Sequence, residues 1–308
     1  MSSTCTMIID SCSDLPFEVI NQPGIKVLNF PYTLEGKEYF DDFYQSSCAH
    51  DFFERMRKGA TPKTAQVPLM QIRALLETCA QEGNPCLYLG FSSELSGNFS
   101  TVELMAEEIR QEYPDFELYV LDTKLGSVAL ALLVYEALEL RKQGMTAQEL
   151  YNWASEARYF VNALFMLDDL EALKRGGRIP ASIAYAGSKL DVKPLLGFKL
   201  DGSLTLVSVA RGRKKGLKSL VEFYNKYKDE SQPSQNIVLA DADCPQDLQK
   251  LMDLLTKADE SLLFLESSIG PVIGSHVGPG MIACVFWGRD RREELSVADR
   301  IARKVRAS

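Results

Sequence analysis

Short apolar runs in the first half of the chain alternate with segments of helical periodicity. Residues 6–9, 85–91 and 118–121 are continuous enough in apolar side chains to form buried strands. Between them, residues 69–76 and 102–109 place apolar side chains on one helical face. Strands that alternate with helices in this way predict a parallel sheet covered by helices.

Each of the three predicted strands ends in hydroxyl or carboxylate side chains. The first leads into DSCSD at residues 10–14, the second into SSELSG at residues 92–97, and the third into DT at residues 122–123. Ligands of open parallel sheets bind beyond the carboxyl ends of the strands. The pattern therefore predicts a ligand at this edge of the sheet.

The second half of the chain has a different pattern. The pair Asp201-Gly202 separates two apolar runs, residues 195–198 and 204–207, which predicts a β-hairpin and antiparallel pairing. Further apolar runs predict strands at residues 237–240, 262–265 and 281–286.

Together these patterns predict an α/β chain of two domains. Residues 1–159 are expected to form an N-terminal parallel α/β/α layer domain, and residues 160–308 a C-terminal α/β domain with a largely antiparallel sheet. From Arg289 onward the chain is highly charged, but apolar residues such as Leu295 and Ile301 keep helical spacing. This spacing predicts a last helix docked on the protein's own surface.

Composition narrows the classes of function. The 308 residues are 46% hydrophobic and carry 42 acidic against 34 basic side chains, a formal net charge of −8. Nonspecific attraction to nucleic-acid phosphates is therefore disfavoured. The N-terminus does not resemble a secretory signal, and the longest apolar stretch, residues 128–135, is too short to span a bilayer. We expect a cytoplasmic protein that does not bind nucleic acid.

Cysteine and histidine give no sign of a metal site. The seven cysteines form no C-x-x-C pair, and the only histidines are His50 and His276. The cysteines are expected to be reduced core residues, although Cys12 stands at the start of a polar loop.

Three side chains are candidates for binding chemistry. Ser96 and Gly97 follow a strand and precede a helix, where backbone N–H groups favour an anion, although serine is also a common helix cap. Thr64 lies in the Pro-flanked segment TPKTAQVP, and His276 in the glycine-rich segment GPVIGSHVGPG. Such a concentration of special backbone residues is typical of a shaped site.

An interrupted helical pattern raises a further question. The segment LEALKRGGRIP breaks at Gly176-Gly177-Arg178. Glycines allow a positive φ or a close backbone approach, which would present Arg178 to a ligand or partner; the alternative is a helix that simply ends in glycine.

Hydrolysis and nucleotide binding receive little support. The chain has no G-x-S-x-G around Ser96 and no G-x-x-x-x-G-K-[ST] phosphate loop. A triad built in space from Ser96, His276 and an aspartate stays open as an alternative.

Eight segments taken together resemble one bacterial family. In order they are IIDSCSDLP, PKTAQ, SSELSGN, VLDTKLGS, LKRGGRIP, LDVKPLL, DGSLTLVSVARGRKK and IGPVIGSHVGPG, and their order and spacing are similar to those of the DegV family up to Gly288. The resemblance implies two domains with a fatty acid in a tunnel between them. It also implies a non-catalytic binding subunit that presents the acid to a separate ATP-dependent fatty-acid kinase, with no cofactor, a role in phospholipid synthesis, and transient contact with membranes.

The resemblance assigns roles to seven residues. Thr64, Ser96 and His276 match the family's carboxylate-binding positions. Supporting backbone would come from Gly97 and Gly278, and a surface facing the kinase from Arg178 and Arg211.

The chain departs from the family pattern at three positions. Ala65 replaces the usual serine after Thr64, Asn98 replaces a threonine, and Cys12 stands where a threonine is common. Two alternative functions stay open. The protein could be a stand-alone lipid carrier or sensor, or a lipid hydrolase that uses Ser96 and His276.

Overall fold

The computed structural model describes residues 5–179, 191–229, 231 and 236–294. Its strands are, in chain order, β1 (Thr6–Asp10), β2 (Ile25–Leu28), β3 (Pro31–Leu34), β4 (Lys37–Phe40), β5 (Lys63–Thr64), β6 (Cys86–Gly90), β7 (Leu118–Asp122), β8 (Val161–Met166), β9 (Val192–Phe198), β10 (Leu204–Arg211), β11 (Asn236–Asp241), β12 (Leu263–Ser268) and β13 (Ile282–Trp287). Its helices are α1 (Phe17–Ile20), α2 (Ala49–Arg57), α3 (Leu69–Glu82), α4 (Asn98–Glu112), α5 (Val128–Lys142), α6 (Ala147–Ala157), α7 (Glu171–Gly176), α8 (Arg213–Tyr227), α9 (Pro245–Ala258) and α10 (Pro271–Val277). The helix predicted through Leu295 and Ile301 lies outside the described residues.

The first half of the chain forms the predicted parallel sheet. Its strand order is β2-β1-β6-β7, and all three pairings are parallel. Strands β1 and β6 are buried at every position, which is typical of a parallel sheet covered on both faces. Helix α5 follows β7, and α6 follows α5. Helix α6 begins at a capping box formed by Thr146 and Glu149.

A small antiparallel sheet, β4-β3-β5, accompanies the parallel one and was not predicted from the sequence. Strand β4 is largely exposed and β5 has only two residues. Neither β4 nor β5 therefore gives the apolar run that marks a buried strand. This sheet matters because β5 contains Thr64, whose pairing partner on β3 is Tyr32.

The second half forms a six-stranded sheet of order β10-β9-β8-β13-β11-β12. Only the β11–β12 pairing is parallel, so the predicted antiparallel character is confirmed. The predicted hairpin joins β9 to β10, with Phe198 opposite Leu204 and Gly202 at a φ of +95°. The sequence analysis did not predict strand β8, which begins directly after the predicted domain boundary.

Helix α5 lies against β8, β11 and β13 and is buried on nearly every side. Alternation along the sheet sends Ala283 and Val285 into the core shared with α5, and Ile282 and Cys284 into a second core under α8 and α9. The sheet is thus a layer between helices on both faces.

The two-domain α/β architecture is confirmed. The parallel sheet ends at Asp122 and the six-stranded sheet begins at Val161. The division between residues 159 and 160 stays a prediction. Within the described residues, none of the helices combines the length and the apolar character that crossing a bilayer requires.

Candidate functional site

A cavity of about 320 Å³ lies between the four-stranded parallel sheet and the six-stranded sheet. Its volume is in the range typical of small-molecule sites. Both halves of the chain line it, since the start of α5 contributes Val128 and Ala129 while β8 and β13 contribute Ala163 and Ala283. Most of the remaining wall is aromatic or aliphatic, including Phe30, Phe91, Phe165, Phe198, Leu204 and Val285.

Residues that follow three of the parallel strands line this cavity, although the predicted pair Asp122-Thr123 does not. Cys12 follows β1, Phe91 follows β6 and Ser127 follows β7, and all three line the wall. Burial raises the pKa of the Cys12 thiol well above its ordinary value, and the carboxyls of Asp10 and Asp14 raise it further. The thiol therefore stays protonated and serves as part of the wall.

The buried carboxyls at the end of β1 do not line the cavity; they join elements of the fold. Asp10 accepts hydrogen bonds from the Tyr88 hydroxyl at 2.8 Å and from the Phe91 N–H at 2.7 Å. Asp14 accepts from the Ser127 hydroxyl at 2.5 Å and from the Gly270 N–H at 3.0 Å. Burial raises the pKa of Asp10 to about 7 and that of Asp14 well above its ordinary value, despite these donors.

Thr64, Ser96 and His276 all line the cavity. Thr64 and His276 are 212 residues apart in sequence, yet Thr64 Oγ1 lies 2.8 Å from His276 Nε2. Strand β5 presents the threonine and helix α10 presents the histidine. This hydrogen bond joins the two halves of the chain at the candidate site.

Of the two roles that the sequence left open for Ser96, the structure shows the one at the start of the helix. Its Oγ accepts a hydrogen bond from the Asn98 N–H at 3.2 Å, which satisfies a backbone donor at the start of α4. A hydroxyl has one hydrogen to donate and two lone pairs. The capping bond uses a lone pair, so the hydroxyl hydrogen can turn to a ligand in the cavity.

His276 is neutral at physiological pH. Burial lowers the pKa of its imidazole to about 4, and the nearby positive charges of Arg178 and Arg175 contribute. Its Nδ1 is buried and has no hydrogen-bond partner among the described residues. A buried N–H without an acceptor is rare in proteins, so we assign the proton to Nε2. Nε2 then donates to Thr64, whose own hydroxyl hydrogen is left to donate into the cavity.

The interruption at Gly176-Gly177-Arg178 has a separate physical reason at each residue. A Cβ at Gly176 would lie 2.4 Å from Nδ1 of His276, so the missing side chain makes room for the imidazole. Gly177, at a φ of +69°, ends α7, and its N–H donates to the Lys174 carbonyl at 3.1 Å. Arg178 is exposed, lines the cavity and donates from Nε to the Leu95 carbonyl at 3.2 Å.

The remaining predicted residues are not all at the cavity. Gly97 lines it, with an ordinary φ of −69°. Gly278 does not line it but ends α10 at a φ of +75°, two residues after His276. Arg211 is exposed at the end of β10 and does not line the cavity.

Two of the residues that depart from the family pattern, Asn98 and Ala65, make hydrogen bonds near the cavity. Asn98 is buried and its Oδ1 accepts from the Val67 N–H at 3.1 Å, which holds the segment after Thr64 against the start of α4. Ala65 lines the cavity and supplies no hydroxyl; its backbone N–H donates to the Pro31 carbonyl at 3.1 Å.

Sequence reasoning missed Gln66, which lines the cavity beside Thr64. Its position two residues after a candidate ligand-binding residue was the available signal. In the part of the chain that the structure describes, no group of three or more His, Cys, Asp or Glu side chains is arranged to hold a metal ion.

Comparison with known proteins gives a consistent result. Residues 4–289 match the family model described as an uncharacterised protein, DegV family. A DegV domain-containing protein of Clostridium perfringens is 34% identical over 279 residues, which are 91% of this chain and 96% of that protein. One from Lactococcus lactis is 30% identical over 292 residues, 94% of this chain and 100% of the relative.

Solved structures agree with this result. A DegV lipid-binding protein from Thermotoga maritima superposes with a TM-score of 0.79 at 26% identity, covering 93% of this chain and 99% of the other. A fatty-acid-binding DegV family protein from Thermus thermophilus gives a TM-score of 0.80 at 26% identity, covering 92% and 99%.

Proposed function

The chain belongs to the DegV family, and on that premise we propose that it binds a long-chain fatty acid in the cavity between its sheets. Thr64, Ser96 and His276 form the carboxylate site, in which the two hydroxyls donate to the ligand and His276 orients Thr64, and the apolar wall surrounds the tail. The protein presents the carboxylate to a partner ATP-dependent kinase, which forms an acyl phosphate. The observation that carries the proposal is a largely apolar cavity whose wall includes the hydrogen-bonded pair Thr64 and His276 together with Ser96.

The energetics of such a ligand divide between its two ends. Each methylene removed from water contributes roughly 0.8 kcal/mol, so a tail of about 15 methylenes contributes about 12 kcal/mol before ordering costs. A buried carboxylate is costly unless it is hydrogen-bonded; the hydroxyls of Thr64 and Ser96 supply those bonds, and the imidazole N–H of His276 orients the Thr64 hydroxyl. The tail therefore gives affinity, and the polar end fixes orientation.

Both proposed domains contribute to the site. Residues 1–159 carry Thr64 and Ser96, and residues 160–308 carry Arg178, Arg211 and His276. Arg178 lies at the cavity and is exposed, which suits a residue that faces the kinase or the transferring phosphate. Arg211 lies away from the cavity, so its proposed role is confined to contact with the kinase.

The geometry favours binding over hydrolysis. A serine nucleophile needs a base within hydrogen-bond reach, but Nε2 of His276 is bonded to Thr64. The Ser96 oxygen in turn accepts from the Asn98 N–H, which makes it a poorer nucleophile. We therefore assign the phosphoryl-transfer chemistry to the partner.

Native mass spectrometry of the purified protein tests the first step. A co-purifying mass in the range of a C14–C18 fatty acid, lost after delipidation and restored by stearate, is the expected result. Addition of a bacterial fatty-acid kinase and ATP then distinguishes a kinase subunit, which gives stearoyl phosphate, from a stand-alone carrier, which gives none. Turnover of a stearate ester by the protein alone would identify a hydrolase and overturn the proposal.

A further inference from the structure

The segment after Thr64 places a side-chain amide at the mouth of the cavity. Gln66 lines the cavity and is exposed, whereas Thr64, Ser96 and His276 are only half-exposed. Gln66 is therefore the most solvent-exposed of these four cavity-lining residues. None of the described residues that line the cavity is acidic.

Two contacts set the orientation of this amide. The Thr101 hydroxyl, one turn into α4, lies 3.1 Å from Gln66 Oε1 and 3.3 Å from the Gly97 carbonyl oxygen, and its one hydrogen donates to the nearer acceptor, Gln66. Once Oε1 is engaged in this way, the NH₂ group is the end of the amide that faces Gly97. A Cβ on Gly97 would lie 2.4 Å from Nε2, so glycine at this position leaves the space that the amide occupies.

The backbone conformation at position 97 does not require glycine. Its φ of −69° is open to any residue, and no positive φ requires glycine there. A Cβ there would meet Nε2 of Gln66, the end of a flexible side chain, so a side chain at position 97 would displace the amide from its present place. Gln66, Gly97 and Ser96 all line the cavity, so the amide belongs to the same cavity wall as the predicted carboxylate-binding hydroxyl.

We propose that Gln66 is a further donor to the ligand carboxylate and makes the site selective for an anionic head group. The inference rests on the proposed function and deepens it. Ala65 leaves the mouth without a hydroxyl at that position, and the amide of the next residue supplies the donor. Thr101 is a positioning residue, because it acts on the head group only through Gln66.

The decisive variant is Gln66→Glu, which has nearly the same shape and keeps an acceptor for Thr101. It replaces two N–H donors with a negative charge facing the ligand. We expect stearate affinity, measured on delipidated protein by displacement of a fluorescent fatty acid, to fall about 30-fold or more. Affinity for octadecan-1-ol, which has the same tail and no charge, should change by less than about threefold.

Two companion variants separate a donor role from a structural one. Thr101→Val removes the bond to Gln66 together with the hydroxyl's contact to the Gly97 carbonyl, which already accepts the Thr101 N–H, and should weaken stearate binding by about threefold. Gln71→Glu adds the same charge at an exposed position on α3 that does not line the cavity, and it should leave both affinities within about twofold.

The possible outcomes distinguish the two proposals. Wild-type protein that binds neither stearate nor octadecan-1-ol overturns the proposed function and this inference together. Wild-type protein that binds stearate while Gln66→Glu binds it equally well overturns this inference alone. The same is true if Gln66→Glu weakens the acid and the alcohol to the same extent, because the effect would then be on the fold of the cavity.

Discussion

Gly176→Ala is the most direct test of how the proposed carboxylate site is assembled. The new methyl group would lie 2.4 Å from Nδ1 and 3.1 Å from Cε1 of His276. Ordinary contacts of a Cβ begin at about 3.4 Å, so the ring or α7 must move by about 1 Å. Because Nε2 of the same ring lies 2.8 Å from Thr64 Oγ1, a shift of that size takes the pair beyond hydrogen-bonding distance.

The magnitude follows from three terms. Overpacking a buried site costs typically 1–3 kcal/mol, and loss of the His276–Thr64 hydrogen bond costs about 1 kcal/mol. Alanine is favoured over glycine in a helix by roughly 1 kcal/mol, which offsets part of this cost. We expect the free energy of unfolding to fall by about 1–3 kcal/mol, and stearate affinity to fall by about tenfold, since the misplaced ring no longer orients the Thr64 hydroxyl.

NMR of the two histidines gives a readout that is independent of ligand. In the wild type, His276 should titrate near pH 4, and His50, whose pKa is raised by its bond to Asp243, above the ordinary histidine value. Displacing the ring of His276 toward solvent in Gly176→Ala should raise its pKa and leave that of His50 unchanged.

The neighbouring glycine is the matched control. Gly177 has a φ of +69° and open space around its Cα, so Gly177→Ala strains the backbone without touching His276. Stability should fall by about 1 kcal/mol while stearate affinity and the titration of His276 stay unchanged. Equal effects of the two substitutions on ligand affinity would refute the assignment of Gly176 as the space for the imidazole.

Three further predictions test the proposed kinase contact, the tail and one buried acid. Arg178→Ala should leave stearate affinity within about threefold and reduce acyl-phosphate formation with an added kinase at least tenfold; unchanged phosphorylation would contradict its proposed role. Ala163→Leu adds three carbons to the cavity wall, so stearate should lose about 2 kcal/mol of binding free energy and dodecanoate much less, as competitive displacement would measure. The pKa of Asp10 is raised on folding to about 7, so the folded state holds the proton more tightly and the free energy of unfolding falls as pH rises from about 4 to 7. Asp10→Asn should remove on the order of 2 kcal/mol of the loss between pH 5 and pH 7.5, measured by urea unfolding; an unchanged pH slope would show that the carboxyl is ionised in the fold.

Local patterns determined much of the fold and the candidate residues. Runs of apolar side chains and the alternation of strands with helices predicted the parallel sheet, and Asp201-Gly202 predicted the β9–β10 hairpin. These features depend on neighbours a few residues apart, so a single sequence carries them. The short strands β4 and β5 were missed because they bury too little to leave such a pattern.

The candidate site depended on contacts between residues distant in sequence. The resemblance indicated Thr64, Ser96 and His276, but only the packing of β5 against α10 brings Thr64 and His276 to 2.8 Å. The sequence left open whether Gly176 ends a helix or permits a close approach, and only the position of His276, one hundred residues later, decided it. Hydrophobic periodicity states which face of an element is buried, whereas the order of strands and the packing of helices decide what that face meets.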